Sequence, residues 1–162
     1  MSTVEATAVL TPAEREAIAA LAHGYEAKRG ACIEALRTVQ RSRGWISDEA
    51  LGEIAQLLEM SSDELDGVAT FYNLVFRRPV GRHVVLICDS VSCWIMGYEA
   101  LRDRIHARLG VKWGETTADG RFTVLPIVCL GACDHAPTLM IDDDLHRDVD
   151  PDQLDSVLEK YP

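Results

Sequence analysis

The sequence predicts an α+β protein, with an N-terminal helical bundle over residues 1–78 and a mixed sheet-and-helix domain over residues 79–162. Three observations lead there. Apolar residues recur at the helical period through roughly the first 75 positions, and that period gives way to short β-branched runs after Pro79 and Gly81. Four cysteines stand in two tight pairs, Cys88 and Cys93 in CDSVSC and Cys129 and Cys133 in CLGAC, each pair closing one of those runs.

The first helix is expected from about 12 to 23, where Thr11, Pro12 and Glu14 supply an N-cap, an N1 proline and a capping-box acid, and Ile18, Leu21, Ala22 and Tyr25 continue one apolar face. Gly30 to Arg43 repeats the pattern with Ile33, Leu36 and Val39, and Gly44 is placed to stop it. Ser47, Asp48 and Glu49 open a third helix through Leu51, Ile54, Ala55 and Leu58, and Ser61 with Glu64 forms another capping box. Phe71, Tyr72, Leu74, Val75 and Phe76 follow. Their first reading is core packing, and their second is a docking surface for another subunit.

His83 to Cys88 (HVVLIC) is a nearly continuous apolar run, the pattern of a strand covered on both faces. Gly97 to Leu109 reads as a helix, with Tyr98, Leu101, Ile105 and Leu109 on one side and Gly110 beyond its end. After a loop at Thr116 to Gly120, Arg121 to Val128 reads as a second strand; Pro126 cannot donate to a ladder, which assigns it to an edge or a bulge. Thr138 to Ile141 and Leu145 to Arg147 flank the Asp142, Asp143, Asp144 turn as a hairpin, and Asp150, Pro151 and Gln153 cap a last helix carrying Leu154, Val157 and Leu158. The order strand, helix, strand, hairpin, helix is compatible with a thioredoxin-like sheet. Ligands of such open sheets collect beyond the carboxyl ends of strands, which is where both cysteine pairs fall.

Composition sets the outer limits. With 162 residues and 48% apolar content the chain can bury a proper core. No apolar run approaches the roughly 18 residues that cross a bilayer, so the expectation is no direct membrane insertion. A formal net charge of -10 disfavours nucleic acid and anionic lipid, and it suits a partner with a basic face as well as plain solubility. The stretch MSTVEATAVL lacks the basic region, apolar core and cleavage site of a leader, so a reducing, cytoplasmic compartment is expected.

The cysteines carry the chemistry. Each iron of a [2Fe-2S] cluster is tetrahedral, with two bridging sulfides and two protein ligands, so four thiolates in two pairs complete it. The 35 residues 94–128 between the pairs suffice for a helix and a strand that fold one pair onto the other. Three other readings stand beside the cluster. Zinc knuckles are usually CxxC, and CxxxxC and CxxxC lie at the loose end of their range. Disulfides conflict with a reducing compartment, and neither pair is the CxxC of a redox dithiol. Reduction would take an all-cysteine cluster from a charge of minus two to minus three, opposed by Asp89 and Asp134 beside the ligands, so the potential is expected roughly a few hundred millivolts below zero. Backbone N–H groups of the loop after Cys88 and of the helix start near Gly97 are candidate donors to the sulfurs.

The segments GVATFYNLVFRRPVGRHVVLICDSVSC and GETTADGRFTVLPIVCLGACDHAPTLMIDDD, with YEAKRGACIEALRTVQRSRGW before them, closely resemble the thioredoxin-like [2Fe-2S] family that forms the E subunit of bacterial respiratory NADH:quinone oxidoreductase, complex I. The resemblance covers nearly the whole chain. It implies a thioredoxin-like [2Fe-2S] ferredoxin domain in which Cys88, Cys93, Cys129 and Cys133 ligate one cluster, serving as an electron carrier beside a flavoprotein subunit that holds FMN and the NADH site. It further implies a multi-subunit, membrane-anchored assembly, the chain lying peripherally on the cytoplasmic side of the inner membrane. The same module occurs in NAD-linked formate dehydrogenases and hydrogenases, which are the alternative hosts. A zinc-stabilised interaction module is the alternative from a different class.

The residues agree with that division of labour. NADH yields two electrons as hydride and an iron–sulfur centre takes one, so a flavin is needed between them. The chain has no GxGxxG and no P-loop, and is expected to act as part of an oxidoreductase without a substrate site of its own. Four thiolates leave His135 a solvent-facing or outer role, and Cys32, beside the apolar face of the second helix, reads as a small packed side chain. Trp94 either shields the cysteines from water or sits at a subunit contact. The Asp142 to Asp144 run lacks the glycine and spacing of a calcium loop and reads as a solvated turn.

Overall fold

The computed structural model of the chain describes residues 10–162; most of the stretch read above for a leader lies outside the described residues. Internal contacts group the chain into two compact units that meet between Pro79 and Val80.

The first unit holds four helices, α1 (Pro12–His23), α2 (Cys32–Arg43), α3 (Asp48–Leu57) and α4 (Ser62–Phe71), with a 3-10 turn at Lys28–Ala31 before α2. Their starts follow from local chemistry. Thr11 and Ser61 each form a complete capping box with the glutamate three residues on, and Ser47 accepts from the Ala50 N–H. Gly44 ends α2 in the left-handed conformation. Ile18, Leu36, Val39, Ile54 and Leu65, all fully buried, meet in one core, and Cys32 packs at its margin as a small side chain.

Glu14 is both a cap and a buried anchor. Its carboxylate takes hydrogen bonds from Thr11, from the Ser42 hydroxyl at 2.5 Å and from Arg43 Nη2 at 2.6 Å. The Arg43 guanidinium outweighs the cost of burial and, with Ser42 and Thr11, holds this carboxyl at about 2.

Two expectations fail in this unit. Tyr25 lies beyond the end of α1 and is exposed, because the helix stops at His23. Phe71, Tyr72 and Leu74 do not pack into the core: Phe71 is 78% exposed, and only Val75 of that run is buried. Gln40 explains the geometry, since its side chain donates to the Leu74 carbonyl and accepts from the Phe76 N–H, holding this segment as an irregular strap. Arg77 then pins the strap's end through Asp66 and Asp48.

The second unit is built on a four-stranded sheet in the order β2-β1-β3-β4, formed by β1 (His83–Cys88), β2 (Phe122–Ile127), β3 (Leu139–Ile141) and β4 (Asp144–His146). β1 and β2 are parallel, and the other pairings are antiparallel. The central strand β1 is buried on both faces and β2 lies at the edge, which is where Pro126 is tolerated. One helix absent from the sequence reading follows β1: α5 (Val91–Ile95), a single turn and a half inside the first cysteine loop. Val85 and Ile87 share a core with Leu101 and Ile105 of α6 (Tyr98–Leu109) and with Leu154 and Leu158 of α7 (Leu154–Leu158). The chain end is held by Arg121, which donates to the carbonyls of Leu158 and Tyr161, and by the Tyr161 hydroxyl, which donates to Asp144.

Candidate metal centre

The sheet register sends both cysteine pairs out of the same end of the sheet. In the parallel pair, Cys88 at the end of β1 stands opposite Ile127 at the end of β2, so Cys129, two residues on, leaves the sheet on the same side. Each loop then supplies its second thiol from a short helical turn. Cys93 sits on α5, and Cys133 begins a 3-10 turn through His135 that lies against α5. The Ala136–Pro137 bond that follows is cis and leads the chain into β3.

The two pairs differ in their surroundings. Cys88 and Cys93 are buried, Cys129 and Cys133 are exposed, and all five cysteines of the chain are free thiols. Cys129 Sγ and Cys133 Sγ stand 4.0 Å apart. Cys88 Sγ meets Ser90 Oγ at 3.5 Å, and Cys93 Sγ meets Thr138 Oγ1 at 3.5 Å. The Gly131 N–H donates to Cys129 Sγ at 3.3 Å, in a backbone conformation with φ of 75° that favours glycine.

Burial pushes the Cys88 thiol up, but the Ser90 hydroxyl and amide, the Cys93 thiol and the Leu130 amide together bring it down to about 7. Cys93 is pushed up by burial and by the neighbouring Cys88 sulfur, against bonds from Thr138.

This donor set fits a [2Fe-2S] cluster. Four soft sulfurs are presented as two pairs at one end of the sheet, and amide or hydroxyl groups stand at hydrogen-bond distance from three of them.

The remaining residues singled out in the sequence fall outside the donor set. His135 accepts or donates at 2.8 Å to Asp148 and at 3.5 Å approaches Asp134. Asp89 and Asp134 are exposed, so solvent screens their opposition to negative charge on the sulfurs. Of the expected backbone donors, those near the start of α6 are not at sulfur, whereas the loop after Cys88 supplies the Ser90 amide; the Cys88 thiol donates to the Ser90 hydroxyl, Thr138 Oγ1 lies 3.5 Å from Cys93 Sγ, and the Gly131 N–H donates to Cys129 Sγ. The sequence pointed to the loop after Cys88, and it did not single out the Ser90 and Thr138 hydroxyls or the Gly131 amide. Trp94 does not cover the cysteines from within: it is exposed, together with Val91, Ile95, Met96 and Val128, as an apolar rim on the same loops.

Comparison with known proteins agrees with this geometry. The family model for thioredoxin-like [2Fe-2S] ferredoxin matches residues 18–162. The NADH-quinone oxidoreductase E subunit of Pseudomonas aeruginosa is 51% identical over 153 residues, covering 94% of this chain and 92% of that protein. Its counterpart in Escherichia coli (strain K12) is 49% identical over 152 residues, with 94% and 92% covered. Among solved structures, an NAD+-reducing [NiFe]-hydrogenase in the air-oxidized state is 27% identical with a TM-score of 0.68; the match covers 81% of this chain but only 22% of the hydrogenase chain. By fold, by paired thiols at adjacent strand ends and by a match over most of its length, the chain belongs to the thioredoxin-like [2Fe-2S] ferredoxin family.

Proposed function

We propose that the chain is the electron-carrying subunit of an NADH:quinone oxidoreductase and holds one [2Fe-2S] cluster on Cys88, Cys93, Cys129 and Cys133. The observation that carries this is the register of β1 and β2, which sends both cysteine pairs out of one end of the sheet. The relatives named as the E subunit of that enzyme, covered over nearly their whole length, support the host complex. When bound, the cluster supplies reversible one-electron chemistry at low potential, as all-thiolate ligation favours.

The chain's own residues do the rest. Cys88 and Cys93 are buried and would hold the cluster from within the protein, the Gly131 N–H donates to Cys129 Sγ, and the exposed Cys129 and Cys133 would hold it where a partner can approach. That partner is a flavoprotein subunit bearing FMN and the NADH site, because hydride must be split into single electrons before it reaches this chain. The exposed apolar residues Val91, Trp94, Ile95, Met96 and Val128, on the two cysteine-bearing segments, are the surface offered to it. The chain is held at the cytoplasmic face of the membrane through its complex. Among the described residues no helix is long and apolar enough to cross a membrane.

The second class of function, a zinc-stabilised interaction module, is separated by metal analysis of the purified chain. Two iron and two acid-labile sulfide per chain, with visible absorption bleached by dithionite, are expected; a colourless protein with one zinc per chain overturns the assignment.

A further inference from the structure

Ser90 occupies a helix N-cap but does not behave as one. Its backbone is extended, with φ of -66° and ψ of 165°, as at the N-caps Ser47 and Ser61, yet its hydroxyl makes no capping bond to α5. The hydroxyl lies instead 3.5 Å from Cys88 Sγ, and the thiol proton points at it. A ligating sulfur carries no proton. The same contact can then survive only with the direction reversed, the freely rotating hydroxyl donating to the sulfur.

We propose that Ser90 is a positioning residue that sets the reduction potential of the cluster by donating a hydrogen bond to Cys88 Sγ. The inference rests on the reading of Cys88 as a ligand. Reduction adds one electron from the external reductant; no bond to protein forms or breaks, and the serine proton stays on Oγ. A donor aimed at a ligand sulfur is attracted more strongly to the more negative state, so it favours the reduced form and raises the potential. Cys88 is buried, so water cannot take the place of a lost hydroxyl easily. Ser90 is not needed to hold the cluster, since it contributes no ligand.

The test is potentiometric titration of the full-length chain with dithionite, followed by electron paramagnetic resonance, alongside iron and sulfide analysis. In Ser90→Ala the cluster content stays whole and the ratio of reduced to oxidised cluster at a fixed potential falls about tenfold, equivalent to ~59 mV for one electron. Ser90→Thr, which keeps the hydroxyl, returns the potential to that of the unaltered chain. Ser90→Gly serves as a second hydroxyl-free variant, because glycine is tolerated at an N-cap where alanine is poor. An unchanged potential in Ser90→Ala or Ser90→Gly overturns the proposal, and so does an equal fall in Ser90→Thr. Loss of the cluster from a folded Ser90→Gly chain also overturns it, by giving the residue a holding role. The iron and sulfide content of the unaltered chain tests the ligand reading separately.

Discussion

At the scale of single residues, the cysteines separate by position rather than by type. Replacing any one of Cys88, Cys93, Cys129 or Cys133 by Ala is expected to remove the cluster or cut its content severely, and Cys32→Ala, at the margin of the helical core, is expected to leave it whole. Iron and acid-labile sulfide per chain decide this, and a fully loaded Cys129→Ala would sink the assignment. The four candidate ligand positions stand out in the sequence because metal chemistry restricts both residue type and spacing. The Thr138 hydroxyl was not legible, since it becomes a neighbour of Cys93 only when β3 folds back beside the first cysteine loop.

Glu14 gives a second test at this scale. Its folded value is depressed from 4.5 to about 2, so the stabilisation it brings is fully present above about 4.5 and is lost as pH falls toward 2. Glu14→Gln should therefore cost about 2–3 kcal/mol at neutral pH and almost nothing near pH 2, read from urea unfolding of the helical unit at several pH values.

At the scale of elements, the helices announced themselves through caps. Thr11, Ser47, Ser61 and Gly44 mark boundaries that the structure reproduces to within a residue, because a buried helix end must satisfy its own amide groups. The strand pattern of HVVLIC identified the central strand, and Pro126 identified the edge. α5 was hidden because five residues are too few to show a period, and the strap at Phe71 to Phe76 was misjudged because hydrophobicity alone does not say which side of a surface a ring occupies. Arg77 is bonded to Asp48 and Asp66 of the helical unit, which moves the useful boundary for a fragment beyond it. A fragment of residues 80–162 is expected to fold and load a cluster, with the same visible spectrum as the full chain. Failure of that fragment, with the full chain stable, would mean that the helical unit completes the core of the sheet.

At the scale of the whole molecule, function depends on a second protein. NADH is expected to leave the cluster of the isolated chain oxidised and to reduce it once the flavoprotein subunit is added, followed by the [2Fe-2S] electron paramagnetic resonance signal. Reduction without the partner would reveal a nucleotide site within this chain. A net charge of -10 favours a basic docking face, so weakened assembly at raised salt marks charge as the main attraction, and indifference to salt marks the apolar rim.

The unequal burial of the two thiol pairs gives the centre an inside and an outside, and hence a direction of construction. A preformed cluster handed over by ligand exchange would reach the protruding sulfurs of Cys129 and Cys133 before the buried Cys88 and Cys93. Oxidants and chelators would enter from the same side, where Cys129 and Cys133 are exposed. The docked flavoprotein, by covering that side, would then act as a custodian of the metal as well as a source of electrons.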